Sequence, residues 1–181
     1  MAGRSTRSLG FTRVTVTSIT QAERRLYQRL WVWRQDLLDA TYFTRFLLKK
    51  GWHFEPWDKK IRWPTYMQQA AFTTALAAAY CRPFVETRNG AVLSMKFAPY
   101  TDAEHELHEK LKSLRNSAYA HSDVELREVR PISLSGRATA IERLPCLKLT
   151  RTETERALSM IAKVSRAIDQ KLQELIARVE E

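Results

Sequence analysis

The chain has 181 residues, enough for one domain with a substantial core, and 44% of them are hydrophobic. No apolar run reaches the ~18 residues that a membrane span needs, and no signal-peptide core is present, so we expect a cytoplasmic protein without membrane association. The two cysteines, Cys81 and Cys146, fit neither a metal-ligand spacing nor a disulfide framework. This pattern predicts two buried thiols in a reducing compartment.

The net charge of +10 is concentrated near the start of the chain. Residues 1–34 carry seven arginines against one acid, Glu23. Residues 1–19 lack an acid and show no amphipathic period, which favours a basic arm over an organellar transit peptide. A basic N-terminal third is attracted to phosphate backbones, although the same charge could simply keep the protein soluble.

A long first helix is predicted from Thr20-x-x-Glu23, which is a capping box that starts a helix near Gln21. Apolar residues then follow at helical spacing, and Gly51 suits the position just beyond the C-terminus. Because the span is about 30 residues long, a break near residues 39–41 is an alternative to one continuous helix.

The middle of the chain predicts two further helices. Pro64 suits a first turn, and the helix that it opens over residues 64–80 contains six alanines, whose small side chains permit close packing. Pro83 ends that helix. Thr101-x-x-Glu104 is a second capping box, and it opens the helix that carries the most informative motif of the chain.

The last third predicts an irregular insert followed by a long helix. Residues 124–149 lose the helical period and contain a Ser-Gly pair between short alternating runs, which suggests a loop with a small hairpin. Thr152-x-x-Glu155 is a third capping box before an amphipathic C-terminal helix. We therefore expect an all-α bundle of four to five helices, with a short irregular or β-hairpin insert before the C-terminal helix, in one domain over residues 20–181.

The helix from residue 101 has two stripes at ~100° per residue. We expect the apolar stripe to face the core and the polar, basic stripe to face solvent, RNA or a partner subunit. If the polar stripe meets RNA, its binding residues are His108, Lys112, Tyr119 and Ser122. The apolar stripe contains Leu107, Leu111, Leu114, Ala118 and His121; the polar stripe contains His105, His108, Lys112, Arg115, Tyr119 and Ser122.

Arg115 and His121 are the two side-chain types that a metal-free phosphodiester cleavage needs, a permanent cation and a group that titrates near neutral pH. Six positions separate them, so their side chains point ~120° apart on an ideal helix. They converge if the helix distorts near Ala120, or if a two-fold dimer brings two motifs together. The plainer alternatives are a histidine that closes the apolar stripe and an arginine paired with a nearby acid.

The run Leu114-Arg115-Asn116-Ser117-Ala118-Tyr119-Ala120-His121-Ser122-Asp123 resembles the signature of the HEPN superfamily (higher eukaryote and prokaryote nucleotide-binding domains). That signature is an Arg, usually followed by a polar residue, with a His four to six positions later. The order of helices also fits, because the motif ends a capped helix and precedes an irregular stretch and a final long helix.

The resemblance implies an all-α bundle, a homodimer with the motif at its interface, and a metal-independent endoribonuclease without cofactors. His121 would be the general acid and base, Arg115 would hold the scissile phosphate, and Asn116 would orient the motif or the phosphate. Cleavage would use the ribose 2′-OH and leave a 2′,3′-cyclic phosphate, so DNA would be resistant. The family further implies a toxin or phage-defence role, with an antitoxin or defence-system partner protein.

One departure concerns the partner. Family toxins that pair with a nucleotidyltransferase antitoxin usually carry a Tyr two residues after the His, whereas this chain has Asp123. Some family members are inactive, so a non-catalytic HEPN module that binds RNA or a protein is the main alternative. A basic helical DNA-binding protein is the third class, and it would show a steep salt dependence without a 2′-OH requirement.

Two other patterns invite a chemical interpretation. His105 and His108, with Glu104 or Glu109, could ligate a metal, but the zinc-protease motif needs histidines at i and i+4, so we favour a solvated helix face and predict no metal. An aromatic and basic stretch before the second helix resembles a base-stacking platform for single-stranded RNA, although its rings could instead pack onto the bundle, which we favour. It contains Trp52, Phe54, Trp57, Lys59, Lys60, Arg62 and Trp63.

Overall fold

A computed structural model of the chain describes residues 20–86, 91–119, 128–143 and 148–180. These residues form four α-helices, two short 3-10 turns and one antiparallel hairpin, which confirms the predicted all-α bundle with a hairpin before the C-terminal helix. The elements are α1 (Gln21–Lys50), α2 (Trp63–Cys81), α3 (Asp102–Tyr119), β1 (Glu128–Leu134), β2 (Arg137–Arg143) and α4 (Arg151–Glu180), with 3-10 turns at Arg82–Phe84 and Met95–Phe97.

Helix α1 has both of its predicted ends. The Thr20 hydroxyl accepts from the Glu23 N–H at 3.2 Å, and the Glu23 carboxylate accepts from the Thr20 N–H at 3.0 Å, which completes the capping box. Gly51 adopts the left-handed conformation at φ 62°. The helix continues through residues 39–41, so the alternative of a break there is wrong. Ala40 is fully buried on the same stripe as Leu37, and packing holds this turn in the helix.

Helix α4 begins two residues earlier than its predicted capping box implies. The Thr150 N–H donates to the Glu153 carboxylate at 2.7 Å, and the Thr150 hydroxyl accepts from the Glu153 N–H at 3.2 Å. The capping box is therefore Thr150-x-x-Glu153, and the prediction of Thr152-x-x-Glu155 is wrong. Both pairs match the sequence pattern, but Leu149 is only 2% exposed, and its place in the core fixes the chain just before Thr150.

This assignment predicts unequal effects of two similar substitutions. Thr150→Ala should lower the free energy of unfolding by about 1 kcal/mol, because it removes the N-cap acceptor. Thr152→Ala should change the free energy of unfolding by less than about 0.5 kcal/mol, because Thr152 is exposed inside the first turn. Chemical denaturation followed by circular dichroism measures both values. A larger loss for Thr152→Ala would contradict the assigned start of α4.

The core lies where the four helices meet. Helix α1 packs against α2 and α4, while α3 packs against α2 and α4. Alanines of α2 such as Ala77 and Ala79 are buried, and their small side chains let both neighbouring helices approach, as predicted. The largest fully buried apolar side chains include Leu30, Leu37, Leu47, Leu76, Tyr80, Leu111, Met160, Ile161 and Ile168.

The hairpin is a mostly exposed appendage. Its strands pair from Glu128 with Arg143 to Leu134 with Arg137. Ser135 and Gly136 form a two-residue turn, both with positive φ (51° and 75°), as a tight hairpin of this hand requires.

Within the described ranges, no helix combines the length and apolarity needed to cross a bilayer. Cys81 is buried, as predicted. The predictions for the basic arm over residues 1–19 and for Cys146 fall outside the described residues.

Candidate functional site

The structure places the first two motif residues at the end of α3. Arg115 is half-buried, Asn116 is exposed, and the Arg115 Nη1 donates to the Asn116 Oδ1 at 3.1 Å. The Asn116 amide therefore fixes one side of the guanidinium plane. His121 and Ser122 lie outside the described residues. Tyr119 is the last residue of α3, but the structure does not describe its side chain. The prediction that Tyr119 binds RNA therefore also falls outside the described residues.

His108 does not lie on a solvent-facing stripe, so that prediction is wrong. Its side chain is buried, and its Nδ1 lies 2.7 Å from the Tyr80 hydroxyl. The rings of Phe84 and Tyr100 flank it at centroid distances of 4.9 and 5.9 Å. The physical reason is that the end of α2 and the turn after it pack across this side of α3. The stripe that carries His108 is therefore polar in sequence but partly covered in the fold.

A chain of hydrogen bonds runs from Tyr100 through Tyr80 to His108. The two hydroxyl oxygens are 3.0 Å apart. Burial raises the pKa of Tyr80 far above its usual range and that of Tyr100 to about 12. Burial also lowers the pKa of His108, although the negative charge of Glu109 opposes this shift. Tyr100, Tyr80 and His108 are therefore all neutral at neutral pH. When the Tyr80 hydroxyl donates to Nδ1, the imidazole proton sits on Nε2, 3.9 Å from Glu109 Oε1.

A cleft of about 270 Å³ opens beside this chain. Its polar wall comes from α3, and its apolar wall comes from the segment between α2 and α3. On the polar wall, the Lys112 Nζ donates to both carboxylate oxygens of Glu109, at 2.8 and 3.0 Å. The hydrogen bond from Lys112 lowers the pKa of Glu109, which is ionised at neutral pH. The lining residues are Phe84, Val92, Leu93, Met95, His105, His108, Glu109 and Lys112.

Arg115 lies on α3 just beyond Lys112, the last residue of that helix that lines the cleft. Lys112 and Arg115 are one helical turn apart, and the positive charges of both act on the thiol of Cys81 at the end of α2. Burial raises the pKa of Cys81 to about 12 even against these charges, so the thiol is protonated and a poor nucleophile.

The aromatic segment before α2 divides into two parts. Trp52 packs edge-on against Phe46 and Phe72, with centroid distances of 5.6 and 6.0 Å, as the packing alternative predicts. The backbone N–H and C=O of Phe54 both bond to the Gln69 side-chain amide at 2.8 Å. These contacts fix the first part of the segment on the bundle.

The second part of the segment is exposed and lies near the motif. Trp57 is 72% exposed and Trp63 is 49% exposed. The Trp63 ring lies 5.4 Å from that of Tyr66, which belongs to the same small cluster as Leu114, the residue before Arg115. Residues 57–63 form a basic aromatic loop, whose cations are Lys59, Lys60 and Arg62, all exposed. It lies beside the C-terminal half of α3.

The metal alternative gains no support from the geometry. Glu104 is buried, and its carboxylate accepts from the Lys163 Nζ at 2.7 Å and from the Thr101 N–H at 2.9 Å. Burial would raise the pKa of Glu104, but these hydrogen bonds outweigh it and hold the pKa below its usual range. Within the part of the chain that the structure describes, no group of three or more His, Cys, Asp or Glu side chains is arranged to hold a metal ion.

Sequence reasoning did not identify Tyr80, Phe84 and Tyr100, which surround His108, or the role of Glu109 in the cleft. The i, i+3 spacing of Glu109 and Lys112 was a usable signal for their ion pair. The three aromatic residues come from other segments, and the sequence gives no local sign that they meet α3. No protein-family model matches the chain, and no curated protein or solved structure is significantly similar to it. The site is therefore interpreted from its own residues.

Proposed function

We propose that the chain is a metal-independent endoribonuclease of the HEPN type. The observation that carries the proposal is the Arg115–Asn116 pair, oriented at the end of α3 and followed five residues after Asn116 by His121. A helical bundle is the architecture that the resemblance implies. In this proposal, Arg115 binds the scissile phosphate, and His121 carries out both proton transfers.

The reaction follows from these two groups. His121, as neutral imidazole, takes the proton of a ribose 2′-OH, and the 2′-oxygen attacks the adjacent phosphorus. Arg115 neutralises the extra charge of the pentavalent phosphate with paired N–H donors. The bond to the 5′-oxygen then breaks, and the imidazolium returns its proton to that oxygen. The products are a 2′,3′-cyclic phosphate and a 5′-hydroxyl.

The surface around the motif supports an RNA substrate. Lys112 lies one turn before Arg115, and the basic aromatic loop lies beside the same end of α3. Exposed aromatic rings among cations suit single-stranded RNA, because bases stack on the rings while the phosphates meet the charges. The net charge of +10 favours approach of any polyanion.

We also propose that the protein acts as a cytoplasmic homodimer with the motif at its interface, in a toxin or phage-defence role with an antitoxin or defence-system partner. The dimer is supported by the spacing in the sequence: on one ideal helix, side chains six residues apart would diverge by ~120°, whereas a two-fold axis can bring the Arg of one motif to the His of the other. Asp123 favours a partner other than a nucleotidyltransferase antitoxin.

The decisive experiment is cleavage of a labelled structured RNA by the full-length protein in EDTA, with analysis of the product ends. We expect cleavage with 2′,3′-cyclic phosphate termini, and no cleavage of the same sequence made with 2′-deoxyribose. Cleavage of the deoxy substrate would contradict the mechanism. Intact RNA that nevertheless binds would support the non-catalytic module, and tight duplex DNA binding with a steep salt dependence would support the third class.

A further inference from the structure

We infer that the cleft beside α3 is a guanine-binding pocket. In it, the Glu109–Lys112 pair recognises the base by hydrogen bonds, and Arg115 binds a phosphate of the same nucleotide. The inference rests on the proposed function for its RNA context and names the base that the site prefers. It is carried by the hydrogen-bonding groups of Glu109 and Lys112 on α3, by the lining of the cleft and by the spacing of Lys112 and Arg115.

The Glu109–Lys112 pair presents one donor beside two acceptors. The ammonium donates, and the two carboxylate oxygens accept, with the three groups held together by contacts of 2.8 and 3.0 Å. The Watson–Crick edge of guanine presents the complementary set of groups, one O6 acceptor and the N1–H and N2–H donors. Uracil has acceptors on both sides of its N–H, and adenine and cytosine present a single donor at one end, so none of these bases matches the pair.

The pair is available to a ligand. Glu109 is 66% exposed and Lys112 is 38% exposed in their side chains. An exposed ion pair of this kind adds little to folding stability. The side chains of Glu109 and Lys112 can therefore turn towards a base with little loss in the free energy of folding. A bound base would replace the solvent around these two side chains with contacts inside the cleft.

The rest of the cleft suits a planar ring. Phe84, Val92 and Met95 form an apolar wall opposite the polar face of α3. Val92 is 46% exposed and Met95 is 40% exposed, so a ring that covers them would remove apolar surface from water. The cleft volume of about 270 Å³ exceeds that of one purine base.

Arg115 is placed to hold the phosphate of the bound nucleotide. Lys112 and Arg115 are separated by about 4.5 Å along the helix axis, which is within the span between a base and its own phosphate. Residues three apart are neighbours on a helix surface, so Arg115 lies next to the Lys112 end of the cleft. One nucleotide can therefore reach both groups.

The test is calorimetric titration of the full-length protein with guanosine, inosine and adenosine 3′-monophosphates. Guanosine monophosphate should bind about tenfold or more tightly than inosine monophosphate, which lacks the N2 amino group that would donate a hydrogen bond to Glu109. Adenosine monophosphate should bind more weakly still. Glu109→Gln should remove the difference between the guanine and inosine nucleotides, because an amide offers only one acceptor.

The matched control is Glu106→Gln, which makes the same chemical change at an exposed position of α3 that does not line the cleft. It should keep the guanine preference, and thermal unfolding of both variants checks that each is folded. Equal binding of the three nucleotides by the wild type would contradict the proposed guanine-binding pocket. A guanine preference that persists in Glu109→Gln would contradict it as well.

The outcome separates this inference from the proposed function. Guanine-selective binding by a protein that leaves RNA intact would support the pocket and reject the nuclease. Cleavage of RNA by a protein without any guanine preference would support the nuclease and reject the pocket. Preferential cleavage next to guanosine by the wild type, with that preference lost in Glu109→Gln and kept in Glu106→Gln, would support both.

Discussion

His121→Ala should abolish RNA cleavage and leave RNA affinity close to that of the wild type. A general acid–base group contributes about 10²–10⁴-fold to rate, so the single-turnover rate should fall by at least that factor. Affinity depends mainly on cations and stacking rings, and the substitution removes neither. Single-turnover cleavage of a labelled RNA measures the first quantity, and fluorescence anisotropy measures the second.

Arg115→Ala should also abolish cleavage, and it should weaken binding modestly because a phosphate contact is lost. Arg137→Ala is the matched control, since it removes the same charge from an exposed position in the hairpin. We expect cleavage by this control at close to the wild-type rate. If His121→Ala and Arg115→Ala both cleave like Arg137→Ala, the nuclease proposal fails.

Mixing the two inactive variants tests where the catalytic pair meets. In a dimer with shared sites, one of the two sites of a mixed dimer combines an intact Arg115 with an intact His121. Mixing His121→Ala with Arg115→Ala should therefore restore part of the activity. A mixture as inactive as its components, formed from proteins shown to exchange subunits, would place both residues in one chain and require a distorted helix end. Light scattering that finds only the 21.1 kDa species would reject the shared site.

Sequence patterns predicted the helices well where the signal was local. The capping box at Thr20 and the glycine at residue 51 act within one turn, and the structure has both. The start of α4 was misplaced because two Thr-x-x-Glu pairs overlap in the same segment. Only the burial of Leu149 chooses between them, and burial depends on packing against the rest of the bundle.

The faces of α3 were harder to predict. The apolar stripe was correct at Leu107 and Leu111, both buried. The polar stripe was interpreted as uncovered, but whether a stripe is covered depends on segments distant in sequence. Tyr80, from α2, and Tyr100, before α3, enclose His108, and the spacing within α3 carries no information about either contact. The apolar wall of the cleft also comes from outside α3, so the sequence identified Lys112 but not the cleft that it lines.

The stability of the bundle should depend on the same helix that carries the site. Leu111 is fully buried on α3, between the flanking helices α2 and α4. Leu111→Ala should lower the free energy of unfolding by about 2–5 kcal/mol, because it removes buried apolar surface and leaves a cavity. That loss is a large part of the about 5–15 kcal/mol that stabilises a domain of this kind.

Leu134→Ala is the matched control, because Leu134 is 61% exposed at the end of β1. The same chemical change there should alter the free energy of unfolding by less than about 0.5 kcal/mol. Urea denaturation followed by circular dichroism measures both. Similar losses for the two variants would mean that α3 is not packed as described. A loss of unfolding free energy in Leu111→Ala alone would instead show that the core positions Glu109, Lys112 and Arg115, since all three project from the helix that Leu111 holds in place.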